Sequence, residues 1–182
     1  MKNDIEVQIR DSVPNDVYGI REVQRKTWFE TYPNEEEGIT IEDVASKFDA
    51  DKTQEGQRKI EEKKARYTDK NRHTWVATAG EEIVGFCAAE KGEKNNRLSA
   101  VYVLPTFQGR GIGKMLIAKV FAWLGNDKAI LVNVARYNQK AIGFYQKFGF
   151  MKTGKTLTDE SGKLPTGKVI LETELIKPVA SS

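Results

Sequence analysis

The chain has 182 residues, 39% hydrophobic and 30% charged, which suits one folded domain over residues 1–182 and argues against wholesale disorder. Its 29 Lys and Arg and 26 Asp and Glu residues are interspersed and leave a net charge of +3, without the basic stripe expected of a nucleic-acid binder. Cys87 is the sole cysteine and His73 the sole histidine, which excludes an internal disulfide and speaks against a structural metal. No run approaches the ~20 apolar residues of a membrane span, and the first ten residues have no signal-peptide apolar stretch, so a cytoplasmic protein is expected.

Residues 6–10 read as a first strand, with Val7 and Ile9 on one face. Ser12 or Asn15 is the expected cap of a helix running to about Tyr32, along which Val17, Ile20, Val23 and Thr27 keep a helical stripe. A second helix begins near Ile41, with Val44, Ala45 and Phe48 on one side. Residues 49–70 are dense in charge; a solvated helix is expected, docked by Ile60, Ala65 or Tyr67. Residues 74–78 and 82–89 form a hairpin around Gly80-Glu81. His73 is expected in a solvent-facing loop and Cys87 as a small core residue. A strand follows over 98–104, then the clearest helix, 112–124, stopped by Gly125. Residues 129–135 form a near-continuous apolar strand, as a central strand requires. A short helix over 138–148 and a last strand over 169–175 close the chain. Strands interleaved with helices and hairpins predict a mixed α/β (α+β) sheet covered on both faces.

The informative stretch is 101–115, VYVLPTFQGRGIGKM. A strand runs into a loop carrying Gly109, Gly111 and Gly113, and a helix follows at once. The first amides of a helix lack internal partners and the helix dipole makes that end positive. Glycines let a backbone approach an anion closely, so such a unit can cradle a phosphate. Arg110 and Lys114 add full charges. The spacing fails the dinucleotide pattern, since the third glycine would fall on Lys114. It also fails the P-loop pattern, since Gln108 and Met115 stand where glycine and Ser or Thr are needed.

Gln108-Gly109-Arg110-Gly111-Ile112-Gly113 resembles the Q/R-x-x-G-x-G/A signature of the GCN5-related N-acetyltransferase (GNAT) superfamily. Residues 138–150, NQKAIGFYQKFGF, resemble its second motif, N-x-x-A-x-x-F/L-Y-x-K-x-G-F, and follow at the spacing that the family requires. The resemblance implies a mostly antiparallel twisted sheet with helices on both faces and one splayed parallel strand pair. It implies direct acetyl transfer from acetyl-CoA to a primary amine of a small molecule, polyamines included, or of a peptide, and homodimers are common in the family. A non-catalytic CoA-binding module on the same fold is the alternative.

By the same resemblance, Val101, Tyr102 and Val103 pair with the pantetheine arm. Gln108, Gly109, Arg110, Gly111, Ile112, Gly113 and Lys114 hold the pyrophosphate, and Asn138, Tyr145 and Lys147 complete the coenzyme site. A bulge within 101–103 is expected to free a backbone amide that polarises the thioester carbonyl. Tyr145 matches the acid that protonates the leaving thiolate. The base has no clear candidate: Arg97 stands where many relatives carry glutamate, and it cannot accept a proton. Glu30 and Glu90 are candidates by exclusion. Trp28, Glu30 and Tyr32, in a W-x-x-T-Y segment resembling that of polyamine acetyltransferases, are the expected acceptor contacts.

Overall fold

The computed structural model describes residues 6–65, 68–158 and 162–179. One sheet of seven strands organises them, in the order β1-β2-β3-β4-β5-β7-β6. The strands are β1 (Val7–Asp11), β2 (Arg72–Ala79), β3 (Glu82–Glu90), β4 (Asn96–Val103), β5 (Ile130–Ala135), β6 (Met151–Leu157) and β7 (Glu172–Lys177). All neighbours are antiparallel except β4 and β5, which run parallel.

Helices α1 (Val17–Thr31), α2 (Ile41–Asp49) and α3 (Gln54–Ala65) precede β2; α4 (Ile112–Leu124) and α5 (Gln139–Gln146) flank β5. The larger core joins the apolar side of α4, with Ile112, Leu116, Ile117 and Val120, to the sheet and to Ile142 and Tyr145 of α5. On the other face, Trp28 and Tyr32 of α1 and Val44 and Phe48 of α2 form a second cluster with Ala135, Leu164 and Ile170.

Neither Ser12 nor Asn15 caps α1. A 3-10 turn over Pro14–Asp16 precedes it, and the Asp16 carboxylate closes that turn by accepting from the Val13 amide (2.8 Å) and from Arg10 (2.6 and 2.9 Å). Those contacts hold the Asp16 carboxyl below the usual carboxylate range, the Arg10 hydrogen bond first. Thr40 and Asp43 make a reciprocal capping box at the start of α2. On α3, Lys59–Glu55 and Arg58–Glu62 pair along the exposed side and Ile60 is buried; Ala65 and Tyr67, the other docking candidates, fall outside the described side chains.

Two further expectations are corrected, and one strand was not foreseen. His73 lies within β2, not in a loop; its ring lies tilted against Trp75, centroids 4.3 Å apart, and its Nε2 lies 3.1 Å from Asp11. The last strand begins at Glu172, because Val169 makes only an isolated bridge to Lys163. And β6 has no counterpart in the sequence reading. It is an edge strand with only Thr153 and Leu157 half-covered, so no alternating apolar pattern marks it. Among the described residues no helix is long and apolar enough to cross a membrane.

Candidate active site

Between β4 and α4 the chain makes the loop that the glycines predict. Gly109 and Gly111 have φ of 78° and 80°, a left-handed region that other residues occupy only under strain. A Cβ added at either would meet nothing within 4 Å, so no packing demand explains the glycines and space stands open above them. Gly111 caps α4 without any side-chain cap. The first bond into the helix runs from the Met115 amide to the Gly111 carbonyl, which leaves the amides before it aimed outward at the positive end of the dipole.

Arg110 and Lys114 are exposed beside this cradle; Arg110 rests over the Phe107 ring at 5.0 Å and donates to the Thr106 carbonyl. A third cation, Lys140 of α5, arrives by folding alone: its Nζ donates to Gln108 Oε1 (2.6 Å), while Gln108 Nε2 donates to the Val103 carbonyl (3.0 Å).

Other members of the motif do structural work. Ile112 is core. Gly113 lets α4 approach α5, since a Cβ there would meet the Phe144 ring at 3.3 Å. Asn138 caps α5, accepting from the Ala141 amide at 3.0 Å. Lys147, expected at the coenzyme, is exposed at the far end of α5, about 10 Å along the helix axis from Lys140.

Beside the cradle the sheet opens. β4 and β5 pair only at Asn96↔Ile130 and Arg97↔Leu131 and then part. The bulge lies earlier in β4 than expected, not within 101–103: Leu98 faces Ala89 and Ala100 faces Ala88, so Ser99 is the extra residue. The Leu104 amide donates to Val84 of β3; by strand alternation the Val101 and Val103 amides face the gap towards β5.

Tyr145 of α5 is buried on the α4 side, edge-on to Phe144 and Phe150. Among the described residues its hydroxyl has no hydrogen-bond partner. Burial, then the neighbouring Tyr102 and Cys87, raises its pKa well above the usual phenol value. Cys87 is also buried, and burial pushes its thiol up to about 12.

The opposite side of the gap is built from hydroxyls. Trp28 Nε1 donates to the Tyr102 hydroxyl (3.2 Å), which lies 3.3 Å from the Tyr32 hydroxyl. Tyr137 donates to the Tyr32 carbonyl (2.8 Å). Trp28 and Tyr32 are buried, their ring centroids 4.2 Å apart, so they wall this side from within the core. Lys47 lies 4.5 Å over the Trp28 ring, its pKa lowered by burial first. Glu30, expected with them, points outward on the exposed side of α1. Glu90 is bound to Arg72 at 2.9 Å.

Sequence reasoning missed Asn133, Glu172 and Glu174, polar residues of β5 and β7 that line this face. Asn133 lies in a strand read as near-continuously apolar, and the two glutamates in a last strand expected over 169–175 and found over Glu172–Lys177. A cavity of about 300 Å³ opens on the same face, against Val17, Ile20, Phe86, Ala88, Glu90 and the bulged Ser99.

Comparison with known proteins agrees with this geometry. The sequence profile of the Acetyltransferase (GNAT) family matches residues 19–150. The peptidyl-lysine N-acetyltransferase YjaB of Salmonella typhimurium is 39% identical over 90 residues, covering 49% of this chain and 57% of that protein. YjaB of Escherichia coli is 31% identical over 90 residues, covering 49% and 56%. The chain thus matches a little over half the length of these relatives. The PaiA N-acetyltransferase of Thermoplasma acidophilum, solved in complex with coenzyme A, shares the fold with a TM-score of 0.74 at 20% identity, over 95% of this chain and 99% of that one. Profile, fold and the glycine loop beside two parting strands agree: the chain belongs to the GNAT acetyltransferase family.

Proposed function

We propose that this chain transfers an acetyl group from acetyl-CoA directly to a primary amine, and that the side chain of a peptidyl lysine is its preferred acceptor. The observation that carries the reading is the open glycine cradle beside the parted β4 and β5, with Tyr145 buried on the α4 side. The cradle fits a diphosphate: it offers unpaired amides, a helix N-terminus and three cations, Arg110, Lys114 and Lys140, around space that no side chain fills. Acetyl-CoA supplies the activated acyl group when bound. The Val101 and Val103 amides face the gap, where an extended arm can pair with them, and the Val101 amide can donate to a carbonyl gaining negative charge.

Tyr145 keeps its proton at neutral pH, as any phenol with a pKa of ~10 does, and burial disfavours its phenolate further. It can still protonate a departing sulfur, because the same surroundings make a thiolate more basic, as they do for Cys87. The lysine preference rests on the names of the YjaB relatives.

The test is thiol release from acetyl-CoA with an Nα-blocked lysine peptide, free amino acids and spermidine as acceptors, beside calorimetry with CoA. The expected result is CoA binding and turnover, fastest with the peptide. No CoA binding, or binding without turnover on any amine, overturns the reading.

A further inference from the structure

β5 reads Ile-Leu-Val-Asn-Val-Ala, and Asn133 is its one polar residue. The Asn133 Oδ1 is buried and has no hydrogen-bond partner among the described residues. Such an atom has given up water for nothing within the protein, which a folded chain rarely tolerates without reason. An apolar side chain here would remove that cost, so the amide is explained by a donor that comes from outside.

Its position says which donor. Arg97↔Leu131 is the last pair between β4 and β5. Asn133 therefore lies two positions into the gap, level with the bulged Ser99 across it. Alternation places Asn133 on the face of Ala135, which packs with Trp28 and Tyr32 and lies opposite the α4 core. Its neighbour in the antiparallel ladder is Glu174, on the same face. Glu174 is buried and bridged at 3.3 Å to Lys155. An amide oxygen next to a carboxylate presents two acceptors and suits an N–H-rich cation.

We propose that Asn133 orients the acceptor's primary amine at the parting of β4 and β5 through its Oδ1, beside the Lys155-bridged Glu174; the amine arrives as an ammonium and releases one proton to water before its lone pair attacks the thioester carbon. The inference rests on the acetyltransferase reading and deepens it: the acceptor enters from the α1–α2 face, and its nitrogen is held across the gap from the Val101 amide. Asn133 acts as a positioning residue.

The test compares wild type with Asn133→Leu, nearly the same size, and Asn133→Asp, using acetyl-CoA and an Nα-blocked lysine peptide. The Leu variant is expected to raise the peptide KM about tenfold or more. It should leave CoA affinity unchanged and melt no lower than wild type, because it removes the unpaired oxygen. The Asp variant, which keeps an acceptor oxygen, is expected to retain the wild-type peptide KM or lower it. A Leu variant that folds with an unchanged peptide KM overturns the proposal. If the Leu variant does not fold, the Asp variant decides: a peptide KM raised tenfold overturns the proposal, and one kept or lowered supports it. A wild type that binds CoA but acetylates nothing overturns the acetyltransferase reading itself, and this inference with it; a wild type that turns over beside an unaffected Leu variant overturns this inference alone.

Discussion

The gap between β4 and β5 has two mouths, and they are built differently. On the α4–α5 side the walls are apolar, the groups that face the gap are main-chain amides, and Tyr145 is a hydroxyl among Phe144 and Phe150. On the α1–α2 side three tyrosines and Trp28 are tied by hydrogen bonds, and polar side chains from β5 and β7 reach the floor. On the proposed function, backbone donors would read a feature that every molecule of the coenzyme carries, and side chains from scattered elements would read the amine. The amide cradle of the first mouth can therefore be encoded in one continuous stretch, whereas the second mouth must be assembled by the fold.

The strongest way to break this contrast is Tyr145→Phe. The hydroxyl makes no bond within the protein among the described residues, so removing it should leave stability near wild type. If Tyr145 is the acid, turnover should fall by roughly 10²- to 10⁴-fold with CoA affinity unchanged, by steady-state kinetics and calorimetry. An undiminished kcat would make Tyr145 merely a wall of the coenzyme mouth.

Gly111→Val attacks the cradle. Valine is disfavoured at φ of 80° by roughly 1–3 kcal/mol, and its side chain would enter the space that the anion needs. CoA binding should weaken by about tenfold or more, and adding salt should affect the variant less than wild type, because fewer phosphate contacts remain to be screened. Equal CoA affinity would place the diphosphate elsewhere.

The difference between the mouths also explains what the sequence disclosed. Gly109, Gly111, α4 and Tyr145 were legible because a loop, a helix start and a short motif are local patterns. The parted strand pair came with the family resemblance. Lys140 was not legible as a third cation, since only the packing of α5 brings it to Gln108. Asn133 and Glu174 were hidden for a related reason: they meet across the β5–β7 ladder from positions far apart in the chain. β6 was hidden because an exposed edge strand needs no apolar alternation. Glu30 misled because closeness in sequence to Trp28 and Tyr32 is not closeness in space; two residues on from Trp28, a helix has turned about 200°.

Tyr102→Phe sharpens the acceptor side. Its hydroxyl accepts from Trp28 and meets Tyr32, so removal leaves a buried indole N–H unpaired, at a cost of about 1–3 kcal/mol. Chemical denaturation should show that loss, and the amine KM should shift while the CoA dissociation constant does not. An equal shift in both would join the two mouths into one site.

The smallest effect concerns Cys87, which faces the α4 side and donates to the Leu116 carbonyl. Burial pushes its thiol up to about 12, whereas an unfolded cysteine titrates near ~8.5. Between these values the unfolded chain releases a proton that the folded chain keeps, so stability falls as pH rises. The contribution is fully present below pH ~8.5, and by pH ~9.5 it has shrunk by about 1.4 kcal/mol. Denaturant midpoints at pH 7.5 and 9.5 should therefore fall further apart in wild type than in Cys87→Ala. The alanine variant starts lower, because it leaves a small cavity, but it lacks this proton. Tyr145, raised for the same reason, loses its share only above the ordinary phenol value near ~10, so the two groups separate along the pH axis. Parallel curves for wild type and Cys87→Ala would mean that water reaches the α4 side of the sheet, and the dry surroundings argued for Tyr145 would go with it.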